Sequence, residues 1–169
     1  MSSLEQLLPL LDHPDVETRR STAQAIGDLG PGGISALVER LTFPSATLRT
    51  TSAKALAAIG RRYPGSLAAP EVLTALAQVL GDEDPVARIS AVGALGTVGR
   101  GAVPYLLQAL AGDDQVLRLT VASALGTIGG QEVIPALLEL QKDADPSVAG
   151  IARGALAMVK GGGAYHHVA

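Results

Sequence analysis

Cysteine and tryptophan are absent from this 169-residue chain, and only four aromatic residues occur: Phe43, Tyr63, Tyr105 and Tyr165. The lack of cysteine excludes disulfides, thiolate catalysis and cysteine-ligated metal or iron-sulfur sites. The scarcity of rings excludes a core built on aromatic packing. Strands favour β-branched and aromatic residues, whereas Ala and Leu rank among the best helix formers. With 28 Ala and 25 Leu, the core is predicted to form from closely approaching aliphatic helices. Positive charge is scarce too: 13 Lys and Arg against 16 Asp and Glu leave a net charge of -3. A nonspecific grip on nucleic acid comes from neutralising phosphates with Lys and Arg, so no nucleic-acid partner is expected.

No apolar run approaches the roughly 18 residues that span a bilayer. The N-terminal run Leu4 to Leu11 is interrupted by Glu5, Gln6 and Pro9 and has neither a basic leader nor a small-residue cleavage site. No membrane partner is expected, and a cytoplasmic location is. The chain is nevertheless 47% hydrophobic, enough to bury a core, and its 20 Gly and 10 Pro are predicted to fall mostly between elements.

What is present repeats. Ala25-Ile26-Gly27-Asp28-Leu29-Gly30 recurs as Ala55-Leu56-Ala57-Ala58-Ile59-Gly60, Ala94-Leu95-Gly96-Thr97-Val98-Gly99, Ala124-Leu125-Gly126-Thr127-Ile128-Gly129 and, degenerate, Ala155-Leu156-Ala157-Met158-Val159-Lys160. The leading alanines are 30, 39, 30 and 31 residues apart, a period of about 30 with one insertion of nine. Six positions before the alanine stand Arg19, Arg49, Arg88 and Arg118, with Ala149 in the fifth copy; fourteen before it stand Leu11, Leu41, Leu80 and Leu110.

Within each copy the apolar spacing is helical. Leu117, Val121, Ala124, Leu125 and Ile128 define one face of a first helix, and Val103, Leu106, Leu107 and Leu110 one face of a second. Gly30, Gly60, Gly99 and Gly129 are predicted to end the first helices, and Pro14, Pro44, Pro85 and Pro146 to open them. The predicted organisation is one repeat array over residues 1–160. It comprises a half repeat at 3–11, helix pairs at about 12–41, 42–80, 81–110 and 111–141, and a glycine-broken closing helix at about 146–160; residues 161–169 are expected to form a flexible tail.

The pattern Asp-x-Pro, then Val or Leu, Arg, Ala-Leu-Gly-x-Ile-Gly and Val-Pro-x-Leu-Leu resembles the short HEAT-like repeat first described in phycobilisome lyase subunits. Residues 82–110 and 113–138 carry the likeness most fully. The resemblance implies an all-α fold: an α-solenoid of about five stacked helix pairs in a right-handed superhelix, with the second helices on a concave side where relatives hold partners. It also implies that Arg19, Arg49, Arg88 and Arg118 form a structural ladder with loop carboxylates such as Asp12, Asp84 and Asp114. An anion-binding row is the alternative.

Chemistry is sparse. The three histidines are His13 at a turn and His166 and His167 in the tail. There is no His-Glu pair of the kind that the HEAT-like deoxyhypusine hydroxylase is expected to use for iron. The basic, ring-lined face of HEAT-like DNA glycosylases is missing as well. No catalytic residue, metal or other cofactor is therefore expected.

The helical register instead points to binding surfaces. It places Glu39, Gln78, Gln108 and Glu139 in one row of second-helix residues, with Tyr105 nearby and a more apolar row of Val79, Ala109 and Leu140 interrupted by Arg40. The insertion carries Arg61, Arg62 and Tyr63 on a predicted loop. Ile89 and Leu119 would form a small outer apolar patch unless neighbouring helices cover them. A noncatalytic scaffold that binds another protein is the expected function. A bilin lyase-like or chaperone subunit acting on a phycobiliprotein, with bilin or phycobiliprotein as partner, is the alternative that the family resemblance implies.

Overall fold

The computed structural model describes residues 3–162. Among them every regular element is helical, and the α-helices alternate between long first helices and shorter second ones. The chain divides into two compact units, Met1–Val98 and Gly99–Ala169.

In the first unit, α1 (Leu4–Leu7) runs into a 3-10 turn at Leu8–Asp12 and is followed by α2 (Val16–Leu29), α3 (Ile34–Arg40), α4 (Ala46–Arg62), α5 (Pro70–Val79) and α6 (Pro85–Val98). α2 packs on α4 and α4 on α6, forming a layer of first helices, while α3 packs on α5 in a layer of second helices. The core between them is aliphatic, with Leu11, Ile26, Leu37, Leu56, Ile59, Leu76 and Leu95 all fully buried. In the second unit, α7 (Val103–Gln108), α8 (Gln115–Ile128), α9 (Ile134–Leu140) and α10 (Pro146–Gly162) repeat the arrangement, with α8 against α10 and α9 beneath them. Leu106, Val121, Leu125 and Leu137 form its centre.

Each first helix starts on an acid or a serine. Asp15, Ser45 and Asp114 accept hydrogen bonds from the backbone N–H groups of Thr18, Leu48 and Leu117. Asp84 accepts from Val86 and Ala87, and Asp145 from Ser147 and Val148. Each cap satisfies N–H groups that have no intrahelical partner and places an oxygen at the positive end of the helix. All five lie ten residues before the repeat alanine, a periodicity as strict as that of the arginines.

Gly30, Gly99 and Gly129 terminate α2, α6 and α8 with φ of 90°, 80° and 69°, conformations that a side chain would strain. Gly60 does not behave this way. It lies inside α4, buried, where a Cβ would collide with the Thr97 hydroxyl and come within 2.8 Å of Thr97 Cβ. α4 is 17 residues long against 14 for α2, α6 and α8, so three of the nine inserted residues lengthen the helix. The other six divide equally: the connection at 63–69 has seven residues against four at 30–33, and α5 has ten against seven for α3. Leu67, 1% exposed, holds the connection down. The closing helix is likewise not broken by its glycines, since α10 runs continuously through Gly150 and Gly154 to Gly162. The rest of the expected tail, with His166 and His167, lies outside the described residues.

Candidate functional site

The repeated arginines share one geometry. Arg19 donates to the carbonyls of His13 and Pro14, Arg49 to those of Phe43 and Pro44, Arg88 to those of Asp82 and Glu83, and Arg118 to that of Gly112. Each guanidinium thus ties its own helix to the turn five and six residues earlier, whose carbonyls have no helical partner.

Arg49 and Arg118 also make a fork of charge-assisted bonds to the following turn. Arg49 Nε and Nη2 reach Asp82 at 2.6 and 2.8 Å, and Arg118 Nε and Nη2 reach Asp143 at 2.8 and 3.2 Å. The same aspartates accept the backbone N–H groups of Asp84 and Asp145, two residues on. Arg49 therefore pairs with Asp82 rather than with Asp84, whose carboxylate is committed to capping α6. Asp12 accepts a bond from the Ser45 hydroxyl at 2.7 Å, and Asp114 caps α8.

The fork from Arg49 and the N–H of Asp84 hold the Asp82 carboxyl below the usual range, and burial opposes them only partly. Asp143 is lowered in the same way by Arg118 and the N–H of Asp145. Asp15 is lowered chiefly by the Thr18 hydroxyl, which donates to it at 2.7 Å. A carboxyl depressed in the folded state contributes stability that is complete above its unfolded pKa, about 3.9 for Asp. That stability is lost as pH falls through the lower folded value, because the unfolded chain then binds more protons. The urea midpoint is accordingly expected to hold near neutral pH and to fall steeply below about pH 4. Asp82→Asn should flatten that fall, and an identical acid profile for both chains would remove Asp82 from the account.

The second-helix residues separate by register. Leu37, Leu76, Leu106 and Leu137 are fully buried, while Glu39, Gln78, Gln108 and Glu139, two positions further along, are exposed in every copy. Two residues turn a helix by about 200°, so one side faces the core and the other faces out. Tyr105 on α7 is half-buried. Arg40, also half-buried, donates to the Ala36 carbonyl at 2.7 Å in the last turn of its own helix. Glu139 pairs with Lys142 at 2.8 Å on the surface. The neighbouring apolar row is not a surface: Val79 and Leu140 are buried, and Ala109 is half-buried. Ile89 and Leu119 are half-buried rather than openly exposed.

The insertion residues divide. The Tyr63 ring lies against Gly30, its hydroxyl donates to the Asp28 carbonyl at 3.3 Å, and Arg62 approaches the Asp28 carboxylate at 3.4 Å. Both secure the connection against the end of α2. Arg61 instead stands exposed on α4, on the first-helix layer. No helix among the described residues is long and apolar enough to cross a membrane.

Stacked antiparallel helix pairs, capped turns and turn-clamping arginines define an all-α solenoid. A family model for HEAT repeats matches residues 4–78 and 73–157, and the chain belongs to the HEAT-repeat family. It is 31% identical over 105 residues to "Uncharacterized phycocyanin operon protein Z" of Pseudanabaena tenuis (strain PCC 7409), a match that covers 62% of this chain and 52% of that protein. The chain thus spans about half the length of this curated relative.

Two solved structures share the fold at 22% identity. One is the complex of CpcE and CpcF of phycocyanin lyase from Nostoc sp. PCC7120, with a TM-score of 0.68 over 98% of this chain and 68% of that one. The other is a designed armadillo repeat protein in complex with the peptide (KR)4, with a TM-score of 0.65 over 92% of this chain and 81% of that one.

Proposed function

We propose that this chain is a noncatalytic scaffold whose second helices hold a protein partner. The observation that carries the reading is the register of those helices. In all four copies a fully buried leucine is followed two residues later by an exposed polar side chain, at Glu39, Gln78, Gln108 and Glu139. Within each unit such exposed side chains contribute little to the fold and are available for contacts. Tyr105 supplies a partly exposed ring of the type enriched where interfaces concentrate their binding energy. In the first unit Arg40 would flank Glu39 and Gln78, with Arg61 a contact outside the second helices; in the second unit Glu139 would accompany Gln108 and Tyr105; Arg62 and Tyr63 serve the fold.

The lyase-like reading keeps one specific support: the likeness to the phycocyanin lyase complex and to the phycocyanin operon protein. It would make the chain an accessory subunit that meets a phycobiliprotein or its bilin. Capture of the tagged chain from an extract of its source, with a visible absorption scan of the eluate, separates the two. A colourless stoichiometric protein partner supports the scaffold, and bilin absorption supports the accessory subunit. With a partner in hand, Tyr105→Ala and Glu39→Arg are each expected to weaken the complex by about 1 kcal/mol or more while leaving the helical circular dichroism unchanged. Undiminished binding by both variants would remove the second helices from the interface.

A further inference from the structure

The first-helix layer of the N-terminal unit carries a groove of about 580 Å³ between α2 and α4, reaching the start of α6. Its floor is made of small residues, Ala23 and Ala58, both nearly fully buried. At one end the helices touch, where a Cβ on Gly27 would come within 2.6 Å of that of Ala58. Along α4 the wall is a single stripe, Thr47, Thr50, Lys54 and Arg61, at helical spacings of three, four and seven. Arg19 and Arg20 face it from α2.

The charge of this groove is opposite to that of the chain. Four cations line it, Arg19, Arg20, Lys54 and Arg61, against the single carboxylate of Asp84, in a protein of net charge -3. The Asp84 carboxylate is turned to the backbone of Val86 and Ala87. Arg20 has only a loose exposed contact with Glu17, at 3.8 Å. Arg19 spends its hydrogen bonds on carbonyls of the preceding turn, which leaves its charge unneutralised.

We propose that this groove binds an acidic, extended segment of a protein partner. From Thr47 to Arg61 the stripe is about 21 Å long, the span of roughly six extended residues. Lys54 and Arg61 lie about 10 Å apart along the axis, too far for one small anion to bridge but well placed for carboxylates spaced along a strand. No aromatic residue lines the groove to stack on bases, and the net negative charge of the chain repels a polyanion longer than the groove. The surface belongs to the first helices, so it stands or falls separately from the second-helix interface.

The test is a titration of fluorescein-labelled hexaglutamate with the full chain at low ionic strength, read by anisotropy. Saturable binding is expected, weakening as added salt shortens the screening length from about 30 Å to about 8 Å. Lys54→Glu and Arg20→Glu, both exposed positions, should each raise Kd about tenfold with unchanged thermal melts. Arg153→Glu, an exposed position on α10 with the same change in net charge, should leave Kd within about twofold. The proposal is overturned by equal loss in the Arg153 variant, by displacement of the peptide with inorganic phosphate at matched charge, or by tighter binding of an oligothymidylate than of the peptide.

Discussion

Arg49→Ala is expected to lower the stability of the folded chain by about 3–5 kcal/mol, the cost of removing one partner from a buried ion pair. At about 2–4 °C per kcal/mol for a chain of this size, the melting temperature should drop on the order of 10 °C. The side chains of Arg49 and Asp82 are 9% and 7% exposed, which makes this pair unlike the surface pairs elsewhere in the chain. Truncation removes two bonds to the carboxylate and two to the carbonyls of Phe43 and Pro44. It also leaves the Asp82 charge buried without its counterion, and that uncompensated charge is the larger part of the loss.

Arg49→Lys should recover little of it, because an ammonium cannot reproduce the planar fork that meets both carboxylate oxygens. Arg20→Ala, at an exposed position on α2, should stay within about 0.5 kcal/mol of the parent. Thermal melts of the three variants under one buffer decide the matter. An Arg49→Ala melt equal to the parent, together with lost binding of an anion, would instead make the repeated arginines an anion-binding row.

Gly126→Val is expected to destabilise by about 1–3 kcal/mol or more through overpacking, and even Gly126→Ala should destabilise. A Cβ at position 126 would lie 2.5 Å from Ala155 Cβ and 2.9 Å from its Cα, so α8 and α10 would have to move apart. The obstacle is backbone, which has no rotamer to escape into. Replacing glycine in the middle of a helix otherwise gains up to about 1 kcal/mol of helix propensity. Gly154→Ala provides that counterpart: the residue is exposed within α10 and nothing lies within 4 Å of its added methyl. Opposite signs for the same glycine-to-alanine change, read as urea midpoints, are the expected outcome. Stabilisation by Gly126→Ala would mean that the two helices are not held at this distance.

The two variants also mark where a one-dimensional reading stops. The repeat register sets Gly126, where every copy has Gly or Ala, apart from Gly154, where other copies have Gln24, Lys54, Gly93 and Ser123, but it does not give the 2.5 Å approach to Ala155. Gly60 shows the same limit, because its place in the repeat copies that of Gly30, Gly99 and Gly129, yet it continues a helix. The positive φ of the others is possible because each chain turns there at once, whereas the inserted residues after Gly60 extend α4 and move the turn to 63–69. The apolar row Val79, Ala109 and Leu140 lies on the core side because each stands three positions after a buried leucine, about 60° away around the same helix.

The helices, their pairing, the turn glycines and the repeated arginines were legible because they rest on local physics, namely a 3.6-residue period, capping and a recurring offset. The five cap residues, ten positions before each repeat alanine, carried the same kind of signal and could have been read from it. The acids that meet Arg49 and Arg118 stand 33 and 25 residues further on, and twelve before the alanines of the third and fifth copies, where other copies have His13, Phe43 and Gly112. That offset became meaningful only once the turns were packed against the preceding helices. The groove is more strongly tertiary still. The α4 stripe is visible in the sequence, but Arg19 and Arg20 join it only because Gly27 and Ala58 lack the bulk to keep α2 and α4 apart. Local patterning set which helices form, and the distance at which small residues let them pack decided which charges share a surface.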